Sequence, residues 1–384
     1  MPAVFIHAVS LGEINATRQL VRRLSDRGPL HLIVSTTTDT GYARAMELYG
    51  SQADMTVVRF PLDFSWAVSR ILDNLRPSVV ALMELEVWPN FMAQCRKRNI
   101  PVVLINGRLT ETSFRRYRSV RPLVSGMFRS LTQICAQEQD YAERFIELGA
   151  DPKRVSVTGT MKFDTAQIAE TIPGAPALAA AVGLSPGAGQ VWVCGSTGPG
   201  EEPLLIECYG KLLGKFPRLR LVLVPRKPER FNDVAETIAA AGFHCVRRSR
   251  PDVMSDQSII LGDTMGELNA WYSLADVVFV GRTLLDLGPR QHGSDMIEPA
   301  ALGKPVIVGP YTGNFAEPMA KFVEAEAIRV IAGMDELESE ASQLLSDPEQ
   351  ARALGERARQ VVQRERGATD RHVAAILAHV AHGD

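Results

Sequence analysis

The sequence predicts an α/β protein made of two doubly wound, parallel-sheet domains. Three observations carry that expectation. Short, almost wholly apolar runs rich in Val and Ile alternate with amphipathic stretches, which is the mark of strands buried on both faces between helices. The alternation is interrupted once near the middle and then restarts. The chain has 384 residues, which suits two domains of about 150–200 residues better than one core.

In the first half the apolar runs are Val4–Ala8, Leu30–Ser35, Val79–Met83, Val102–Ile105 and Gln133–Ala136. Each is followed by a helix-like segment. The Thr165–Gly189 region is rich in Ala, Gly and Pro and breaks the pattern. The second half runs through Val191–Gly195, Leu219–Pro225, Ile259–Leu261, Val277–Gly281 and Pro305–Gly309. The expected organisation is a domain over 1–170, a linker over 171–188, a second domain over 189–366, and a final helix over 367–384 that packs back on the first domain. Ligand sites in such sheets lie at strand C-termini, with the two domains facing each other across a cleft.

Composition narrows the function. The net charge of −2 argues against a whole-molecule polyanion binder, so no nucleic-acid partner is expected. The five cysteines, Cys95, Cys135, Cys194, Cys208 and Cys245, show no CxxC spacing, and the seven histidines include no HExxH. That excludes a disulfide framework and predicts no metal site. No run of about 18 apolar residues is present, so nothing in the sequence reads as a membrane span.

Several loops after predicted strands have residues suited to chemistry. His7-Ala8-Val9-Ser10-Leu11-Gly12-Glu13 ends a strand and starts a helix. Amides there can bind an anion, and Glu13 can act as a general base for a nearby hydroxyl. The alternative is that Ser10 and Glu13 form a capping box. Ser196-Thr197-Gly198-Pro199-Gly200-Glu201-Glu202 has the glycines of an anion cradle but not the ending of a P-loop; it can equally be an ordinary turn. Arg226 and Lys227 follow an apolar strand, where a planar guanidinium can clamp a phosphate, or they start a solvated helix. In Gly262-Asp263-Thr264-Met265-Gly266, the loop can touch a nucleotide through its backbone, or Asp263 can cap a helix. Glu298 lies in Glu-Pro-Ala-Ala-Leu-Gly-Lys-Pro ahead of a buried strand, and its carboxylate can accept both hydroxyls of a ribose. Glu84 and Glu86 follow another strand. Phe114–Arg121 is a basic run with aromatics that suits lipid phosphates or an anionic membrane surface, or is a solvated helix face.

Taken together, these segments resemble the 3-deoxy-D-manno-octulosonic acid (Kdo) transferases of the GT-B glycosyltransferase superfamily. The resemblance is carried by HAVSLGE (7–13), TTTDTG (36–41), MELEVWPN (83–90), INGRLTETS (105–113), VTGTMKFD (157–164), STGPGEE (196–202), VPRKPERF (224–231), LGDTMGEL (261–268), EPAALGKPVIVGP (298–310) and NFAE (314–317). It implies a GT-B fold and an inverting transfer of Kdo from CMP-Kdo to a lipid A precursor, lipid IVA, in lipopolysaccharide biosynthesis. It implies Glu13 as the catalytic base. Donor contacts are implied for Ser196, Thr197, Arg226, Gly262, Thr264, Met265, Gly266, Ser294, Asp295 and Glu298, and for Thr158, Gly159, Met161 and Lys162. Acceptor-side positions are Ser10, Gly12, Thr37, Glu84, Glu86, Arg108, Arg115 and Arg116. No cofactor and no metal are implied, CMP-Kdo being a substrate. The implied location is peripheral, at the cytoplasmic face of the inner membrane.

The sequence also departs from the family pattern. A Gly-Gly-His-Asn stretch is usual before the Glu298 position; here it reads His292-Gly293-Ser294-Asp295. Gly198 and Lys227 stand where histidines are common. Members usually carry an apolar anchor before the first motif, and this sequence starts at that motif. A GT-B transferase using another sugar nucleotide, and a sugar-nucleotide epimerase of the same fold, are the alternative expectations.

Overall fold

The computed structural model describes residues 1–185, 187, 189–250, 258–288 and 291–380. The chain forms two compact units, Met1–Thr165 together with Glu365–Asp384, and Ala166–Arg364.

The first unit holds a seven-stranded sheet: β1 (Ala3–His7), β2 (His31–Thr36), β3 (Met55–Arg59), β4 (Val79–Met83), β5 (Val102–Gly107), β6 (Gln133–Ala136) and β7 (Val155–Val157). The order is β3-β2-β1-β4-β5-β6-β7, with every neighbouring pair parallel. Side chains alternate between the faces with the period of a strand. Phe5, Val80, Leu82 and Leu104 join one buried cluster. Val4, Ile6, Val79, Ala81, Met83, Val103 and Ile105 join the other. Two apolar faces need two layers of helices, which is why these strands show no polar alternation.

The helix Ala368–Leu377 belongs to this unit and packs on the helix Leu11–Ser25. Its first amides are satisfied by Asp164, which accepts from Gly367 N–H at 2.7 Å and Thr369 N–H at 2.6 Å. Buried His372 pins it to the sheet: Nε2 accepts from Asn106 N–H at 2.6 Å, and Nδ1–H donates to the Ala368 carbonyl at 2.5 Å. Burial holds the His372 imidazole down to about 4, so it stays neutral.

The second unit repeats the architecture with β8 (Val191–Thr197), β9 (Arg220–Pro225), β10 (His244–Arg247), β11 (Ser258–Leu261), β12 (Val277–Val280), β13 (Val306–Val308) and β14 (Arg329–Val330). Their order is β10-β11-β9-β8-β12-β13-β14, again parallel throughout. Trp192, Tyr209, Trp271, Tyr272 and Phe279 are fully buried here. At roughly 1.5–3 kcal/mol per large apolar side chain, such burial outweighs any single polar contact in the unit.

Two features differ from the sequence expectation. Strands β3, β7, β10 and β14 have no counterpart among the apolar runs. The stretch 171–188, read as a linker, contains the helix Ala175–Ala181, whose Ala175, Leu178 and Ala179 are buried and which packs on the helix Leu268–Leu274. Positions 186, 188 and 381–384 of the expected segments lie outside the described residues. Among the described residues no helix is long and apolar enough to cross a membrane.

Candidate active site

In an open α/β sheet the ligand crevice opens where the strand order reverses, at the strand C-termini. In the first unit that point lies between β1 and β4. The loop Ala8–Ser10 leaves β1 there, and Glu84–Glu86 leaves β4. Ser10 and Glu13 form a cap at the start of the following helix. Ser10 is the N-cap of the helix Leu11–Ser25, its hydroxyl accepting from Glu13 N–H. The Glu13 carboxylate accepts from Val9 N–H at 2.9 Å and from the Ser10 hydroxyl at 2.8 Å. It therefore reaches back one residue beyond the usual capping-box partner. The Val9 carbonyl accepts from the hydroxyls of Thr36 and Thr38, both at 2.9 Å, so the TTTDTG loop after β2 locks the peptide that holds Glu13. Thr37 between them is exposed, as is Gly12.

Glu84 stands opposite in a left-handed conformation, φ 54°, which is strained for a residue with a Cβ. Burial, and then the Glu13 charge, push its carboxyl above the usual range, while Arg108 and Lys162 pull it back. Glu86 is raised by burial and by Glu13, and it accepts from the Trp88 indole N–H at 3.0 Å. Glu13, Glu84, Glu86, Arg108 and Lys162 are thus one electrostatic cluster. Arg115 and Arg116 are exposed on the helix Glu111–Ser119, Arg115 pairing with Glu111 at 2.7 Å.

The VTGTMKFD residues serve the unit internally as well. The Thr158 hydroxyl donates to the Ala136 carbonyl, and its own carbonyl accepts from Arg371. Gly159 adopts φ 79°. Met161 is 1% exposed and packs in the core, its N–H donating to Asn106 Oδ1 at 3.2 Å and its carbonyl accepting from Asp164 N–H at 3.1 Å.

In the second unit the reversal falls between β8 and β12. There Gly281 lets the strand ends touch: a Cβ on it would lie 2.5 Å from Thr197 Cα. Ser196 is buried with φ 56°, and its carbonyl accepts from the Ser294 hydroxyl at 3.3 Å. Thr197, expected as a donor contact, has its hydroxyl committed to Glu202 at 2.7 Å. Glu202 in turn makes a two-pronged pair with Arg230, both contacts at 2.7 Å. The Thr197 hydroxyl is therefore a strut of the loop. Arg226, exposed, follows β9 with its N–H on the Thr197 carbonyl.

Glu298 lies in the first turn of the helix Ile297–Ala301. Burial, and then the Asp295 charge, push it up to about 8, with Arg226 opposing. Asp295 turns toward the helix start, accepting from Ile297 N–H at 2.8 Å. In the 262–266 loop, Asp263 does not cap a helix. It pairs with Arg247 at 2.7 Å and accepts from the Ser249 N–H and hydroxyl. Thr264 donates to Glu267, Met265 is 64% exposed and Gly266 has φ 86°.

Sequence reasoning missed Arg282 and the work of Glu201. Arg282 follows β12 directly, at φ 61°. Glu201 holds its backbone: Oε2 accepts from Gly198 and Arg282 N–H, and Oε1 from Thr283 and Leu284 N–H. A cation directly after an apolar strand was the available signal for Arg282. No local signal pairs Glu201 with a loop 81 residues away.

Two doubly wound parallel sheets, each with a reversal point, are the architecture of the GT-B type. A glycosyltransferase from Rickettsia africae shares it, with a TM-score of 0.65 at 13% identity, over 100% of this chain and 99% of that one. So does a UDP-GlcNAc 2-epimerase from Neisseria meningitidis, with a TM-score of 0.62 at 15% identity, over 98% and 100%. At those identities the likeness speaks to fold alone. Residues 1–165 match the family described as 3-deoxy-D-manno-octulosonic-acid transferase (kdotransferase). The 3-deoxy-D-manno-octulosonic acid transferase of Haemophilus influenzae is 34% identical over 91% of this chain and 81% of its own length. That of Bordetella pertussis is 34% identical over the same two shares. The chain belongs to the Kdo transferase family, and it is a glycosyltransferase.

Proposed function

We propose that the enzyme transfers Kdo from CMP-Kdo to a hydroxyl of a lipid A precursor, lipid IVA, with inversion at the anomeric carbon. The observation that carries this reading is the Glu13 carboxylate, held by Val9 N–H and the Ser10 hydroxyl at the crevice of the first sheet. The acceptor oxygen bonds to the anomeric carbon as the bond from that carbon to the CMP phosphate oxygen breaks. The acceptor proton passes to Glu13, and the bonding pair leaves with CMP. The anomeric carbon of a ketose carries positive charge well as the leaving group departs. The main demand is then stabilisation of the departing phosphate, which preorganised cations supply. In this reading Arg226, Ser196 and Ser294 serve the phosphate side, Glu298 the ribose, and the 262–266 loop the cytosine side. Glu84, Arg108 and Lys162 set the field in which Glu13 receives its proton. No resident cofactor is part of the proposal.

The proposed partner surface is an anionic membrane leaflet. Leu62, Phe64, Trp66, Trp88 and Leu123 are exposed on the unit that also carries the basic helix Glu111–Ser119. That combination suits the headgroup region, where aromatics and arginines both gain.

The test is transfer from freshly generated CMP-Kdo to tetraacylated lipid A precursor by wild type and Glu13→Gln, compared at equal thermal stability. Removal of a general base should lower the rate by about a hundredfold to ten-thousandfold. Unchanged transfer by Glu13→Gln would remove the base. No transfer by folded wild type, with another sugar nucleotide consumed, would remove the donor.

A further inference from the structure

We propose that Arg282, together with Arg226, forms the anion subsite that grips the nucleotide phosphate of the donor. The inference rests on the sugar-nucleotide reading above and adds a residue to it.

The topology places the two cations. Strands β9, β8 and β12 are adjacent in that order. Arg226 follows β9, Ser196 and Thr197 end β8, and Arg282 follows β12 after a short Gly281. Arg226 N–H donates to the Thr197 carbonyl at 3.1 Å, and Gly281 N–H to the Gly195 carbonyl at 2.8 Å. The two arginines therefore flank the end of the central strand at the reversal point, where a ligand of this fold is expected.

The direction of the Arg282 side chain is set by Gly198. A Cβ on Gly198 would lie 2.9 Å from Arg282 Cγ. The arginine thus runs across the bare backbone of the Ser196–Gly200 loop, and a side chain at 198 would push it out. The missing Cβ makes room for the aliphatic stem of Arg282 against the loop.

Each guanidinium feels an acid at a distance, Arg226 that of Glu298 and Arg282 that of Glu201. Neighbouring Arg230, Arg247 and Arg248 pair with Glu202, Asp263 and Glu267. Arg226 and Arg282 make no side-chain hydrogen bond or ion pair among the described residues. Burial, and then the charge of Arg226, hold the Arg282 guanidinium below its ordinary value, with Glu201 opposing. The two cations lie within electrostatic reach of each other, and an anion bound beside both relieves their repulsion.

The backbone supports the same conclusion. Arg282 sits at φ 61°, a conformation that glycine holds without strain and other residues hold at a cost. Glu201 enforces it by binding the N–H groups of 282, 283 and 284. A strained position carrying a long cation is a functional placement, since glycine would be the more stable choice.

During transfer the departing phosphate gains a negative charge. A guanidinium at this place therefore strengthens binding of the product-like nucleotide and favours departure.

The experiment is calorimetric titration of wild type, Arg282→Gly and Arg282→Lys with CMP, cytidine and free Kdo, beside a thermal unfolding scan. The expected result is a loss of CMP affinity of about tenfold to a hundredfold in Arg282→Gly, with cytidine and Kdo binding unchanged. Arg282→Lys should recover part of the loss, and the unfolding midpoint of Arg282→Gly should equal or exceed that of wild type. Equal CMP affinity in wild type and Arg282→Gly overturns the proposal. So does an equal loss for CMP and cytidine, which would mark a structural defect, and so does a loss for Kdo alone, which would place the carboxylate there. If wild type binds a different nucleotide and not CMP, the donor reading fails. The nucleotide and nucleoside of that other base then decide the role of Arg282 by the same comparison.

Discussion

At the scale of single residues, the second unit is organised by two adjacent acids with opposite partners. Glu201 is fully buried and takes four backbone N–H groups from two loops. Glu202 takes Thr197 and Arg230. Burial pushes the Glu201 carboxyl up, while the amides of Arg282, Leu284 and Gly198 oppose it. In sequence, two acids at the start of a helix read as ordinary complements to the helix dipole. In the structure they tie together the loops that follow β8 and β12. Glu201→Ala leaves those amides buried without acceptors, and at about 1–3 kcal/mol per orphaned group, partly relieved by relaxation, the second unit should lose at least about 3 kcal/mol. Urea unfolding measures this; a loss below about 1 kcal/mol would show that the clamp is dispensable.

At the scale of elements, the strands legible in sequence and those that were not divide by position. β3, β7, β10 and β14 are the edge strands of the two sheets. They are mostly half-buried or exposed, whereas β1 and β4 are buried throughout. An edge strand packs one side only, so it lacks the continuous apolar run on which the reading depended. The helix Ala175–Ala181 was missed for a related reason, since a short Ala-rich helix flanked by Gly and Pro has little pattern to show.

The exposed aromatic face carries the element-scale prediction. Trp66 is 71% exposed at the start of the helix Ser65–Leu75, tied by the Ser65 hydroxyl to Asn90 in the helix Pro89–Lys97. Trp88, just before that second helix, donates to Glu86, whose charge reaches Tyr117 on the basic helix. If these exposed aromatics meet a membrane, Phe64→Ser with Trp66→Ser should weaken sedimentation with anionic vesicles in a salt-insensitive way. Arg115→Gln with Arg116→Gln should remove a salt-sensitive part of about 1 kcal/mol per charge. Wild-type binding by both double variants would show that this face is not the docking surface.

At the scale of the molecule, acid sensitivity should concentrate in the first unit. His7 and His372 are both fully buried there, and burial holds each down to about 4. Above an unfolded-state value near 6.5 both states are neutral and stability is unaffected. As pH falls from about 6.5 toward 4, the unfolded chain takes up protons that the folded unit refuses, so stability drops. Each histidine should cost about 2–3 kcal/mol between pH 7 and pH 4.5. Urea unfolding at the two pH values tests this, with His372→Gln expected to flatten the slope. A slope identical in wild type and variant would assign the acid response to the carboxylates instead.

From sequence alone came the two α/β units, the buried central strands, the loops that leave their C-terminal ends, and the family. These are properties of local pattern: apolar runs, turn residues after them, and motifs in a fixed order. Only the tertiary structure decided which motif residues are available. It committed the Thr197 hydroxyl to Glu202, buried the Met161 side chain, turned Asp295 to its helix and Asp263 to Arg247. It also gathered Glu13 with Glu84, and set Arg282 across the end of β8. The physical reason is the order of strands. Parallel sheets bring together loops that are far apart along the chain, and which side chains meet there depends on register and on where a backbone has room. Neither is written in any single segment.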